Sequence, residues 1–570
     1  MALRELSPGG AAAAVQNTTF SIDALARNIC NTWDEAVGSG GPPFTVIVVG
    51  SGAYGGYLAA KVSALHPEAR VLVLEAGPFL LSEHVQNVGD VGLNVPSPIP
   101  PQNDPGVPRE LVWGLPWRGN VEFPGLAYCC GGKSLYWGGW CPRLTPDDLA
   151  VWPAATAANL TQHYADVERD TGVTPDTDFI QGDLLDAVRA RSLSVSGLVA
   201  NLDVAVPGGP VQSAPLAVQG ETPASGLFSF DKFSSMPILA AAIRADIARS
   251  GGSDARRRLF LVPRAHVVRL HANAGTAHTI EVDVDGERTF LPIGPARVIL
   301  AASAIESTRL ALASFPTPLM GRNLMAHVRS DFTVRIRRAA LPAIPEGVQT
   351  AALLLRGRAA GSPFHLQVTA STSRDGSDAM LYRMIPDVDL LDQQTANTDP
   401  DWITLTLRGI GAMTGDTTTP IPSPTTSWIN LSPYERDEYG VPRAYVHLRA
   451  STDDLALWDA MDRSAIEFAQ HFAGAPGDIE YLYDDRWQQQ SFPLDRPFPP
   501  WHRGLGTTYH ESGTLWMGDD PATSVTDVDG RFHHITNVYV SDQAAFPTVG
   551  SVNPVLTGLT LARALAGKLH

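Results

Sequence analysis

The chain has 570 residues, 44% hydrophobic and 18% charged, an ordinary globular composition with material for two or three domains. Its formal net charge of −17 argues against nucleic acid as a partner, since phosphate binding needs clustered Lys and Arg. Four cysteines are too few for a disulfide scaffold, and adjacent Cys129 and Cys130 suit neither a bridge nor zinc spacing, so all four read as small buried hydrophobes.

The N-terminal run Ala11–Val15 is too short for a secretory signal. No stretch reaches the roughly 20 apolar residues of a membrane span, so a cytoplasmic protein without membrane attachment is expected. Residues 22–35 read as a helical arm closed by the linker GSGGPP. FTVIVVG is a continuous apolar run, the mark of a strand buried on both faces. A helical pattern over Gly55–Leu65 and a second such strand, VLVLEAG, complete a βαβ unit. Residues 86–125, rich in Pro, Asn, Gly and Trp, read as long loops. Leu160–Thr171 and Met236–Arg249 read as helices, with a Pro/Gly-rich stretch at 200–228 between them. Leu259–Leu270 and Thr279–Val284 alternate as strands, and RVILAAS is a third buried strand that leads into a helix over Ile305–Ser314. Between Asp331 and Leu448, DFTVRIR, FHLQVTAS, WITLTLRG and RAYVHLRA alternate with period two. A helix over Thr452–Phe472, the strand VYVSD and a last helix complete the chain. The α/β character at both ends and the β-rich middle predict one domain interrupted by another.

In VVGSGAYGG, Gly50, Gly52 and Gly55 have G-x-G-x-x-G spacing between a strand and a helix. The first glycine permits the tight turn, the second lets the backbone approach a pyrophosphate, and the third lets helix and strand pack closely. Ala53 and Tyr54 open the helix, whose N-terminal N–H groups and dipole favour phosphate. Glu75, 20 residues past Gly55 and followed by Ala76, is placed to bind ribose hydroxyls. A dinucleotide site follows; these motifs alone leave NAD and FAD open.

VIVVGSGAYGGYLAAKVS, VLVLEAGPF, GGKSLYWGGWCPRLTPDDL, VILAASAIESTRLALAS, GRNLMAHV and YVSDQAAFPTVGSVNPVLTGLTLARALA together resemble the glucose–methanol–choline (GMC) flavoprotein oxidoreductases, in that family's order. SLYW and VNPVLTGLTLA resemble most the branch containing pyranose oxidase. The resemblance implies an α/β fold: a Rossmann-type FAD-binding domain interrupted by a substrate domain with a large, mostly antiparallel sheet and flanking helices. On that pattern residues 1–43 form an arm, 44–157, 232–328 and 501–570 the FAD domain, and 158–231 and 329–500 the substrate domain.

The resemblance also assigns residues. The family's catalytic His falls on His510 in YHESGT, and its partner, His or Asn, falls on Asn553 in SVNP. Removing a carbinol hydride to flavin requires removing the O–H proton, a task suited to a neutral imidazole with a pKa near working pH. Asn takes no proton but can fix the alcohol oxygen. Asn553, Pro554 and Val555 also read as N-cap and first turn of the last helix, whose positive end would face the flavin. Further flavin contacts are expected from Gly131, Gly132, Ser134, Trp137 and Gly138, with adenine contacts at Val267 or Val268. Ala302 and Asp542 end strands that reach the cofactor. Some relatives tether FAD through a His where this chain has Tyr136, so non-covalent FAD is expected.

The implied reaction is oxidation of the CH–OH of a sugar or glycoside, with electrons passing to O2 or another acceptor. A non-redox lyase with structural FAD, or oxidation of a non-sugar alcohol, is the alternative. Selectivity is expected within Asp331–Pro500, especially the Gly/Thr/Pro-rich Leu407–Pro424 as a lid. His327 receives no role, and His533–His534 sits on an expected hairpin. No cluster has metal-ligand spacing, and no nucleophile elbow suggests a hydrolase.

Overall fold

The computed structural model describes residues 26, 28–84, 113–114, 117–121, 126–174, 180–202, 205–219, 231–341, 344, 349–372, 388–497 and 499–569. Much of the 86–125 and 200–228 stretches, and most of the N-terminal arm, lie outside them.

The first layer is a five-stranded, all-parallel sheet in the order Leu259–Val262, Val71–Leu74, Val46–Val49, Arg297–Leu300, Val538–Val540. Val46–Val49 is buried at every position, because helices and loops cover both faces. Helix Ala53–Leu65 packs against helices Val555–Ala566 and Ser235–Ser250 on one side. From the central strand the chain first builds outward through Val71–Leu74, then on the other side through Arg297–Leu300. The order therefore reverses at Val46–Val49, and a crevice opens beyond the carboxyl ends of these neighbours, where such sheets bind ligands.

The second layer is an eight-stranded antiparallel sheet built on His327–Arg337, Trp402–Ala412, Ser362–Ser371 and Thr350–Ala359, with shorter strands at its edges. Helix Thr452–Ala473, started by a Ser451 capping box, covers one face. Gly409 and Gly411 give it room: a Cβ on Gly409 would lie 2.9 Å from Met461, and one on Gly411 3.1 Å from Leu457. Trp458 donates its indole N–H to Ser330 Oγ at 2.7 Å. Alternation along the strands then sends Arg329, Asp331, Arg408 and Ile410 to the opposite face.

Several elements differ from the sequence expectation. The described α-helix of the arm is only Trp33–Val37, set by a Thr32–Glu35 capping box. Leu259–Leu270 is two strands in two sheets, broken at Pro263–Arg264, where Arg264 adopts φ 54°. RAYVHLRA belongs to a separate three-stranded sheet with Trp428–Arg436. The strand Thr350–Ala359 and helix Asp183–Ser196 carry no reading in the sequence, since a strand buried on both faces over all but Arg358 and a helix of weak amphipathicity both blur periodicity. Leu407–Ala412 completes a buried strand, so the first third of the expected lid is sheet. Among the described residues no helix is long and apolar enough to cross a membrane.

Candidate active site

A cavity of about 730 Å³ runs from the crevice of the parallel sheet to the inner face of the antiparallel one. At its first end the strand Val46–Val49 stops in Gly50, whose φ of 95° turns the chain into the helix. A Cβ on Gly50 would meet the Ala301 carbonyl at 2.6 Å, and one on Gly55 would meet the Gly50 carbonyl at 2.0 Å. Gly52 differs: nothing lies within 4 Å of a Cβ built there, and the helix it begins has no side-chain cap. Gly52 thus leaves open space and unsatisfied N–H groups facing the cavity, a fit for a pyrophosphate.

Gly50, Gly52, Ala53, Tyr54, Glu75 and Ala76 line this end. The Glu75 carboxylate accepts from Ser51 N–H at 2.9 Å, Ser51 Oγ at 2.7 Å and Gly77 N–H at 3.0 Å. Burial raises its pKa, against which these hydrogen bonds work. Gly77 is a residue that motif reading missed. A Cβ there would fall 1.8 Å from the Tyr128 carbonyl oxygen, so this strand exit passes directly against the loop that carries the next cavity residues. Val267, Ala302 beside Gly50 and Gly132 beside Gly52 line the same end, Ser134, Trp137 and Gly138 also line the cavity, and His510, Asn553 and Val555 line it beside the antiparallel sheet.

Five expected cofactor residues lie off the lining. Gly55 is spent on helix–strand packing. Gly131 donates its N–H to Ser51 Oγ at 3.2 Å and turns the loop with φ 89°. Val268 is buried on its strand beside Val267. Asp542 accepts from Ser307 Oγ at 2.5 Å and Ala544 N–H at 2.9 Å, and burial pushes it up to about 6. Pro554 is the N-cap of helix Val555–Ala566. Asn553 therefore does not cap that helix, and its side chain is turned to other partners.

Those partners are the core of the site. His510 Nδ1 lies 2.9 Å from His327 Nδ1, and His327 Nε2–H donates to the Gly550 carbonyl at 3.0 Å. Asn553 Nδ2 faces His510 Nε2 at 3.5 Å, while its Oδ1 accepts from Gln367 Nε2 at 3.0 Å. Gln367 also contacts His365 Nε2 at 3.1 Å, and His365 Nδ1–H donates to the Ser551 carbonyl at 2.5 Å. Tyr509, just before His510, has φ 59°; Gln543 holds its carbonyl at 3.1 Å and is itself held by Tyr54. His510 thus follows a backbone position, Tyr509, that surrounding contacts must enforce.

Beside His510, Arg329, Arg408 and Arg503 line the cavity and converge on the buried Asp331. Burial, then His327, Arg408, His365 and Arg329, hold His510 well below the ordinary imidazole range. This corrects the expectation of a pKa near working pH: the ring is neutral at pH 7 with room to spare. The lining within Asp331–Pro500 is, among the described residues, Arg408 and Ile410, and residues 411–424 do not reach the cavity.

The missed polar residues had a signal. His327, Arg329 and Asp331, and likewise His365 and Gln367, recur every second position in strands otherwise rich in apolar residues, which marks a polar strip on a buried face.

Residues 424–562 match the family model for GMC oxidoreductase. The chain is similar to a C-glycoside 3-oxidase of Microbacterium trichothecenolyticum, 25% identical across 91% of this chain and 94% of that one. A shorter segment is 50% identical to the paromamine 6'-oxidase of Streptomyces fradiae, over 10% of this chain and 12% of that protein. Among solved structures, pyridoxine 4-oxidase from Mesorbium loti superposes with a TM-score of 0.56 at 15% identity, covering 92% of this chain and 99% of that one. Formate oxidase from Aspergillus oryzae RIB40 gives 0.58 at 14% identity, covering 93% and 98%.

Proposed function

We propose that this chain, a member of the GMC oxidoreductase family, binds FAD without a covalent tether and oxidises a CH–OH group of a sugar or glycoside, with His510 as the base. The observation that carries the reading is the pair at the end of the cavity. An N–H donor, Asn553 Nδ2, and a ring nitrogen, His510 Nε2, stand 3.5 Å apart and face the same space. An alcohol oxygen seated beside the pair, on the cavity side, can accept from the first while its hydrogen points at the second.

FAD, when bound, supplies the acceptor for the hydride leaving the carbinol carbon. Gly52 and the helix behind it would hold the pyrophosphate, and Glu75, which fixes the Ser51 turn, would lie toward the ribose. His510 takes the hydroxyl proton, and Asn553 keeps the oxygen in place as the carbonyl forms. The positive charge of Arg329 and Arg408 beside His510 favours negative charge developing on that oxygen. The similarity to a C-glycoside 3-oxidase and a paromamine 6'-oxidase supports a glycoside substrate and O2 as acceptor.

Anaerobic addition of a C-glycoside, paromamine or a simple primary alcohol tests the reading. The flavin should bleach with a glycoside; a flavin left oxidised throughout would point to the lyase alternative. Acid precipitation should release the colour into the supernatant, because Tyr136, which lines the cavity, cannot form a histidyl link. A yellow pellet would refute the absence of a tether. Glu75→Ala should lose FAD on purification more than it slows the flavin-loaded fraction, since the carboxylate holds the Ser51 turn far from His510. Full flavin occupancy in that variant would contradict the placement.

A further inference from the structure

We propose that His327 is a positioning residue that keeps the bare ring nitrogen of His510 turned toward substrate. The proposal rests on the reading of His510 as the base.

Two adjacent carbonyls set the protonation pattern. Gly550 C=O can only accept, so His327 Nε2, 3.0 Å away, carries the hydrogen. His327 is fully buried and neutral at pH 7, so its Nδ1 is a bare acceptor. The 2.9 Å contact between the two Nδ1 atoms then requires the hydrogen to sit on His510. A neutral His510 protonated at Nδ1 has Nε2 bare, and Nε2 is the nitrogen that faces Asn553.

The second carbonyl fixes Asn553 independently. Ser551 C=O accepts from His365 Nδ1–H at 2.5 Å, which leaves His365 Nε2 bare. That nitrogen accepts one N–H of Gln367 at 3.1 Å, and the other N–H of the same amide reaches Asn553 Oδ1 at 3.0 Å. Asn553 must therefore present its N–H₂ side to His510. Reversing any member of this chain sets two donors or two bare acceptors face to face, in a site where an unmet polar group is costly.

When His510 takes the hydroxyl proton at Nε2, its Nδ1–H becomes a donor with positive charge behind it, and the bond to His327 strengthens. A carboxylate fills this role in the serine-protease triad. Here the neutral imidazole orients the base without adding negative charge beside it. The charged and titratable groups around His510 are His327, His365, Arg329 and Arg408, with Arg503 and the buried Asp331 behind the arginines and Glu511 next to it in the chain.

The test uses the FAD-loaded enzyme with ¹⁵N-labelled histidine, His510→Ala serving to assign the His510 signals. In wild type at pH 7, His510 should be protonated at Nδ1 and bare at Nε2. A His510 protonated at Nε2 overturns the proposal, and this measurement needs no variant at position 327. His327→Phe should free the tautomer and slow flavin reduction, by the fastest glycoside of the panel above, about 10- to 100-fold, the worth of a hydrogen bond to a charged group. His327→Asp, an anionic acceptor, should restore the Nδ1–H form, hold reduction within about tenfold of wild type, and move the acid limb of the rate to higher pH. An unchanged tautomer and rate in His327→Phe would overturn the role of His327 alone. A His510→Ala enzyme reduced at the normal rate would instead overturn the base on which it rests.

Discussion

His510→Ala should reduce the rate of flavin reduction by substrate about 10²–10⁴-fold, the usual range for one general base, and leave flavin content unchanged. The cofactor end of the cavity is formed by Gly50, Gly52, Glu75 and Val267, none of which depends on the imidazole. The pH dependence follows from the surroundings. The neutral ring is the working form, and burial with His327, Arg408, His365 and Arg329 lowers its pKa well below 6.5. Protonation is therefore deferred. The rate should be flat through neutral pH, stay flat below the ordinary imidazole range, and fall only in more acid solution; that acid limb should vanish in the variant. Asn553→Ala should cost less, because it removes a donor to the alcohol oxygen and no proton acceptor. Rapid-mixing anaerobic reduction across pH reads all of this. A near-normal rate in His510→Ala would show that the ring only packs against His327.

Gly77→Ala should destabilise the protein by more than the roughly 1–3 kcal/mol typical of overpacking. Its Cβ would lie 1.8 Å from the Tyr128 carbonyl oxygen and 2.0 Å from its carbon, both backbone atoms with no rotamer to escape into. Gly77 N–H also holds Glu75 Oε1, and its carbonyl accepts from Arg264 N–H at 3.0 Å. A shift here therefore disturbs the Glu75 turn, the Tyr128–Gly132 loop and the strand that ends in Val262 together. Flavin release followed by fluorescence should occur at a clearly lower temperature than in wild type. An unchanged melting temperature would mean that the two segments separate freely and that this contact does not define the cofactor cleft.

What the sequence determined by itself is local or collinear. The run VIVV is apolar at every position and so had to be buried on both faces. G-x-G-x-x-G after it needed glycines at Gly50 and Gly55 because backbone lies within 2.6 Å of any added Cβ. His510 and Asn553 were legible through the order of family-like segments. Tertiary structure alone decided the rest. That His510 has its pKa held well below 6.5 depends on strands as far as 183 residues away in sequence. That Asn553 faces His510, with Pro554 as the cap, depends on Gln367 taking its carbonyl. His327, His365 and Gln367 carry no motif, because a hydrogen-bond chain is defined by distances between strands and not by spacing along one. Register sets those distances: His365 opposite Ile410, and Ile410 opposite Arg329, bring three strands' polar positions onto one face. Composition cannot encode that pairing, and it exists only once the antiparallel sheet has closed over the cavity.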